Sequence, residues 1–262
     1  MSINHEPILA GFIKLARSIC LALFCLLWLG AGPCPAAPKE LSNQEVQRLV
    51  NDMVQAYEQV NDYTTILFRR GTHQEKLSPM ETILFKFRKP FSVYMKWIEE
   101  PQKDRELIYV QGWNQGLCRI STGSFPDITL NLDPEGSHVR NESFGHTLFD
   151  AGIGFLVETL AKNYQRSVQN PRDGCKVMNL GVRQVHGEKA RCLEAIYPGD
   201  AQGKYYAPRV MVCLSLGSKL PVQAKAYNRF GDLTEELGFK NTRINVGLTD
   251  RDFDPENPDY DF

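Results

Sequence analysis

The chain has 262 residues, 42% hydrophobic and 23% charged, with 30 basic side chains against 31 acidic ones. That usage is ordinary for a folded protein of one or two domains, and it excludes a disordered chain, a collagen-like fibre and a polytopic membrane protein. A net charge of −1 provides no global field to gather nucleic acid, so no nucleic-acid partner is expected.

Lys14 and Arg17 precede an apolar run of eleven residues, Ile19 to Leu29, which Gly30, Gly32, Pro33 and Pro35 interrupt. This is the order of a secretory signal peptide, and the run falls short of the roughly 20 residues a spanning helix needs. Cys34-Pro35-Ala36 places cleavage after Ala36, so residues 1–36 read as a leader and the destination as the periplasm. The alternative is an uncleaved signal that anchors the chain in the inner membrane. Ala31-Gly32-Pro33 ahead of Cys34 fits a lipoprotein site poorly. Beyond Ala36 four cysteines remain, Cys118, Cys175, Cys192 and Cys213. An even number in an exported chain points to disulfides, and no pair has the C-x-x-C spacing of a redox or zinc motif.

Leu41-Ser42-Asn43 supplies cap residues, and Val46, Leu49, Val50, Met53, Val54 and Tyr57 follow at spacings of mainly three and four. This pattern predicts an amphipathic helix over 43–60. The period then changes to two, predicting strands over 63–70, 81–89 and 91–98. In the second, Ile83, Phe85 and Phe87 share a face; in the third, Phe91, Val93, Met95 and Trp97 do, leaving Tyr94, Lys96 and Ile98 on the other. Strands over 106–111 and 117–121 flank a turn at Gly112 to Gly116, and a short strand covers 128–132. A second helix is predicted over 147–169, its first turns weakened by Gly152 and Gly154. The remainder is nearly all strand: 175–185, 189–197, 209–216, 222–227 and 233–246, separated by turn residues. The tail from 250 to 262 carries six acids against one Arg, with Pro255 and Pro258, and reads as extended.

About ten strands with hairpin links and two helices predict an α+β fold. The expected architecture is a curved, half-open antiparallel β-barrel with helices on its concave side, spanning 37–249. No strand–helix–strand alternation supports a Rossmann fold or an eightfold barrel. Two packed domains divided near 147–174 is the alternative.

One disulfide follows from register. A hairpin of 189–197 with 209–216, centred between Gln202 and Gly203, sets Cys192 opposite Cys213. The same register sets apolar Leu193 opposite Val212 on the other face. Directly opposed residues lie close enough for a bridge after local adjustment.

No motif carries catalysis. His73, His138, His146 and His186 lack metal-ligand spacing, no G-x-S-x-G elbow occurs, and Gly152-Ile153-Gly154 lacks the third glycine of a dinucleotide loop. The expectation is a protein without catalytic residues, metal or cofactor. The informative feature is the large apolar set Phe85, Phe87, Phe91, Val93, Met95 and Trp97. It reads either as a packed core or as a groove for acyl chains, since an incompletely closed sheet leaves apolar surface to which aromatic and Met side chains adapt. Arg69, Arg70, Lys86, Arg88 and Lys89 read as a solvated outer face or as contacts for anionic head groups.

The segment RKPFSVYMKWIEEPQKDRELIYVQGWNQG and the ending LPVQAKAYNRFGDLTEELGFKNTRINVGLTDRDFDPENPDYDF resemble an exported bacterial family, domain of unknown function 1571, over residues 45–262. More loosely, Pro90, Trp97, Tyr227 and Gly231 stand where the LolA/LolB-like lipoprotein-carrier superfamily places a turn proline, a strand aromatic, a Tyr and a turn glycine. That resemblance implies a half-open barrel closed by helices that binds acyl chains of lipids or lipoproteins. The resulting expectation is a periplasmic, non-enzymatic carrier of a lipid or lipid-modified protein, with a possible envelope protein as partner. An envelope sensor or protein-interaction module on the same fold is the alternative.

Overall fold

A computed structural model of the chain describes residues 37–73, 76–139, 146–198 and 203–262. Pro38–Phe262 forms one compact unit. The leader expected over 1–36 lies outside the described residues, and all described strands and helices belong to this unit. No described helix is long and apolar enough to cross a membrane.

The first helix, α1 (Asn43–Glu58), follows a two-residue strand β1 (Lys39–Glu40). Ser42 and Glu45 form a reciprocal capping box that satisfies two of the helix's open N–H groups. Strands β2 (Asp62–His73), β3 (Lys76–Leu77), β4 (Glu81–Arg88), β5 (Ser92–Trp97), β6 (Glu106–Val110), β7 (Cys118–Ser121) and β8 (Thr129–Leu132) come next. After α2 (Ile153–Gln169) come β9 (Lys176–Val185), β10 (Glu188–Ile196), β11 (Arg209–Ser215), β12 (Pro221–Tyr227) and β13 (Leu233–Ile244). The predicted strands recur with ends shifted by up to three residues.

All thirteen described strands belong to one open, curved sheet in the order β1-β9-β10-β11-β12-β13-β2-β4-β5-β6-β7-β8, with β3 on β2. Every pairing is antiparallel, and β1 and β8 are its edges, so the sheet does not close. β10 and β11 pair with Cys192 opposite Cys213 and Leu193 opposite Val212, the register expected from the sequence. The two cysteines are joined by a disulfide with Cα atoms 4.0 Å apart. Cys118 and Cys175 are free thiols.

The predicted helix over 147–169 is interrupted. Leu148–Asp150 forms a short 3-10 turn, Gly152 adopts φ 91°, and α2 begins at Ile153. A β-carbon at Gly152 would collide with the Tyr63 hydroxyl, which instead accepts the Ile153 N–H at 3.0 Å. Tyr63 of β2 thus takes the place of a capping side chain for α2, a long-range contact that local spacing does not reveal. Burial holds that hydroxyl protonated, well above its usual range.

Both helices lie on one face of the sheet. Met53 of α1 and Ile153, Leu156 and Val157 of α2 pack with Tyr63, Leu67, Ile83, Phe85, Met95 and Phe239 in a single core. The opposite face carries two smaller clusters. One contains the disulfide with Ala190 and Val222. Beside it, the His186 ring at the tip of the β9–β10 hairpin stacks on Phe68 at 5.3 Å, over Gly238, where a β-carbon would leave the imidazole no room.

The other cluster forms where the tail docks. The tail, expected to be extended, contains a 3-10 turn at Asp250–Phe253 and packs Phe253 and Tyr260 against Tyr94 and Ile108. Lys86 reaches Asp252 at 2.9 Å, and Arg88 reaches Asp250 at 2.6 Å. The basic face read as solvated is therefore partly covered, because the tail's acids and its aromatic rings satisfy it together.

Candidate functional site

On α1 the spacing of three and four aligns Val46, Leu49, Val50 and Met53 toward the sheet. Leu160, Tyr164 and Val168 of α2 form the adjacent wall. Beneath them the alternation of β10 and β11 points Leu193, Ala195, Val210, Val212 and Leu214 at the helices. These residues line a half-open cavity of about 360 Å³. This volume falls within the roughly 300–1,000 Å³ of small-molecule sites. Aliphatic side chains form most of its lining, and Glu40, Asn43, Gln47, Ser167, Lys176 and the tyrosines Tyr164 and Tyr197 add polar groups to it.

Local geometry holds the cavity open. The Leu41 N–H donates to the Val177 carbonyl at 2.8 Å and fixes the start of α1 on β9. At its other end α1 meets α2 where Gly154 faces the Tyr57 hydroxyl, and a β-carbon there would collide with it. Burial, and then Glu158, push that hydroxyl up to about 12. Within the cavity, burial raises the Cys175 thiol and the Tyr197 hydroxyl above their ordinary values, so both are neutral at pH 7. The aliphatic part of the lining, on the sheet floor and the facing sides of both helices, offers an ion no replacement for its hydration.

The six residues singled out from the sequence share the helix-facing side of the sheet but lie in its other half. Phe85 and Val93 are 1% and 0% exposed and sit inside the packed core. Phe87 and Phe91 border an aromatic groove of about 760 Å³ with Tyr57, Phe149 and Phe155. Met95 and Trp97 border a polar pocket of about 400 Å³ with Arg69, Glu81 and Arg105. The aliphatic cavity belongs to residues the sequence reading passed over. The available signal was the facing of Leu193 and Val212, apolar partners opposite each other in the same register that pairs the cysteines.

A third cluster is polar. The Tyr206 hydroxyl donates to Glu235, and His146 Nε2 lies 2.8 Å from that hydroxyl and 3.3 Å from Glu235 Oε1. Burial and the Glu235 charge both raise the Tyr206 hydroxyl, so it remains a donor. The contact ties the segment before β11 to β13 and to the chain leading into α2. Among the described residues, no three His, Cys, Asp or Glu side chains gather to hold a metal.

Fold and cavity together define an open antiparallel sheet with two helices over one face and an aliphatic chamber between them. The chain belongs to the family described as "Protein of unknown function (DUF1571)", whose profile matches residues 60–262. No curated protein matches it in sequence. Among solved structures it is similar to the lipoprotein LppX of Mycobacterium tuberculosis, at 11% identity and a TM-score of 0.46, covering 79% of this chain and 99% of that one. It is similar to the Pseudomonas aeruginosa MucA/MucB complex, at 14% identity and a TM-score of 0.41, covering 80% of this chain and 60% of that one. A LolA superfamily protein from Nitrosomonas europaea aligns at 8% identity and a TM-score of 0.36, covering 80% and 97%.

Proposed function

We propose that this protein is an exported, non-catalytic carrier that holds an acyl chain, from a lipid or a lipid-modified protein, in the chamber between α1, α2 and β9–β11. The observation that carries the proposal is the chamber itself: about 360 Å³ of space lined mainly by aliphatic side chains between the two helices and the sheet. Such surface left unfilled forfeits dispersion contacts, and an apolar guest restores them. The disulfide and the apolar run Ile19–Leu29 support export to an oxidising compartment, the periplasm. The carrier resemblance implies the same role. Transfer then proceeds by difference in affinity between donor, carrier and an envelope protein that receives the ligand, with no bond made or broken.

Native mass spectrometry of protein purified from cells without detergent tests the proposal. A population carrying an acyl lipid is expected, together with saturable binding of a fluorescent fatty acid to the delipidated protein. Val212→Trp fills the chamber and should lower that binding at least about tenfold, equivalent to about 1.4 kcal/mol. An exclusively apo mass with no probe binding would refute the proposal.

A further inference from the structure

The polar pocket beside Trp97 is a different kind of site from the aliphatic chamber. Its wall carries two guanidinium groups, Arg69 and Arg105, lying 5.7 Å and 5.0 Å from the centroid of the same Trp97 ring. Glu81 is the carboxylate on this wall, and it is engaged elsewhere. Its Oε2 accepts from Arg69 Nε at 2.7 Å and from the Trp97 indole N–H at 3.1 Å.

Arg105 has no carboxylate partner among the described residues. Its donors meet only the Gln102 side-chain oxygen at 3.3 Å and the His138 carbonyl at 3.5 Å. Its Nε is buried with no hydrogen-bond partner at all. Burial, and then the neighbouring Arg69 cation, lower its guanidinium from the ordinary value, and the Glu81 carboxylate, bonded to Arg69, offsets this only in part. The residue is also held in place. Gly123, at φ 63°, lies so close to the backbone of Asp104 and Arg105 that a β-carbon would collide with it. The Arg105 carbonyl in turn accepts the Trp97 N–H at 3.0 Å.

A partly buried guanidinium beside a second cation, with its Nε unpartnered, is stabilised by a ligand that brings negative charge. We propose that this pocket, of about 400 Å³, binds an oxyanion, a carboxylate or phosphate group, on Arg105. The planar guanidinium fork matches either group through paired N–H donors. Trp97 backs the fork, and Ser137 and Thr147 line the same space with hydroxyl groups. The oxyanion is either a free small molecule or the head of a lipid. The pocket is independent of the aliphatic chamber and of the carrier proposal.

The test titrates inorganic phosphate, and separately acetate, into the purified protein at constant ionic strength, following tryptophan emission and Tm. A saturable response to at least one of the two is expected, with a Kd of about 1 mM or tighter, and none to chloride. Arg105→Gln should weaken it about 10–100-fold; Arg105→Lys, which keeps the charge without the fork, should fall between. Fatty-acid probe binding is measured in parallel, so loss of this site is distinguished from failure of the chamber. Should Arg105→Gln not fold, Ser137→Glu provides the check: its carboxylate should abolish the phosphate and acetate responses and raise Tm. Dihexanoyl phosphatidate compared with inorganic phosphate separates the sources, with tighter binding of the former indicating a lipid head and equal binding a free anion. No saturable response to either anion, or equal responses in wild type and Arg105→Gln, overturns the proposal.

Discussion

Tyr260 of the tail stacks on Tyr94 of β5, with ring centroids 4.0 Å apart and planes 13° from parallel. Around this pair, the Lys86 ammonium donates to the Tyr260 hydroxyl at 2.9 Å, and that hydroxyl donates to the Asp252 carbonyl at 2.8 Å. Beneath them the Tyr94 hydroxyl donates to Glu106 at 3.0 Å, and Lys96 pairs with the fully buried Glu106 at 2.6 Å. The tail is thus part of the folded unit and covers charges that would otherwise face water.

Removing the ring tests this arrangement. Tyr260→Ala should cost about 2 kcal/mol in urea unfolding, the sum of a stacked pair and its hydrogen bonds. Tyr260→Phe, which keeps the stack, should cost about 1 kcal/mol. Equal stability of wild type and Tyr260→Ala would show that the tail contributes nothing to the fold.

The tail's attachment should depend on pH. Burial alone would raise the Asp252 carboxyl, but hydrogen bonds from the Thr249 N–H and from Lys86 outweigh it and hold the group below its ordinary 3.8. A carboxyl depressed in the folded state stabilises it above the unfolded value, and that contribution is lost as pH falls through the folded value. Stability should therefore decline as pH is lowered from about 4. Lys86→Met should lower stability at pH 7 and shrink the acid-dependent loss. The urea midpoint at pH 7 and pH 3 measures both effects, and an unchanged acid dependence in Lys86→Met contradicts the assignment.

The disulfide closes a separation of 21 residues. Replacing both cysteines by Ala should cost about 3 kcal/mol, chiefly by releasing the unfolded chain. Peptide mapping without reduction should recover Cys192 and Cys213 in one linked fragment, with Cys118 and Cys175 alkylatable after denaturation. A different pairing would be inconsistent with the β10–β11 register.

The two halves of the helix-facing surface should respond differently to truncation. Phe85→Ala empties a site enclosed on all sides and should cost about 3–5 kcal/mol. Val212→Ala borders existing space and should cost under about 1.5 kcal/mol while weakening fatty-acid probe binding. Similar thermal losses in both variants, with probe binding intact in Val212→Ala, would mean that the chamber is ordinary core.

The strands were legible in the sequence because a half-buried strand shows its period in a few residues, as Ile83, Phe85 and Phe87 do. The β10–β11 register was legible because the cysteine and the Leu–Val pairings agreed on one alignment. The position of the chamber was not. Phe85 and Leu193 are both apolar residues pointing at helices, and which of them meets a tight contact depends on where α1 and α2 rest. That placement is set by the Tyr63 hydroxyl at the Ile153 N–H and by Gly154 against Tyr57, contacts between residues about 90 or more positions apart. The tail was misread as extended for the same reason. Its acids look solvated until Lys86 and Arg88, more than 160 positions earlier, are placed beside them.

Cys192 and Cys213 lie on the face of β10 and β11 directly behind Leu193, Val212 and Leu214. The covalent cross-link therefore runs along the back of the chamber's floor and fixes the spacing of the two strands that form it. The roof has no covalent tie: α1 is joined to β9 at its start through Leu41, and at its end Lys89 donates to the Tyr57 and Glu58 carbonyls. Under the carrier proposal, the floor of the chamber is the covalently braced wall and α1 the wall held by hydrogen bonds and side-chain packing alone.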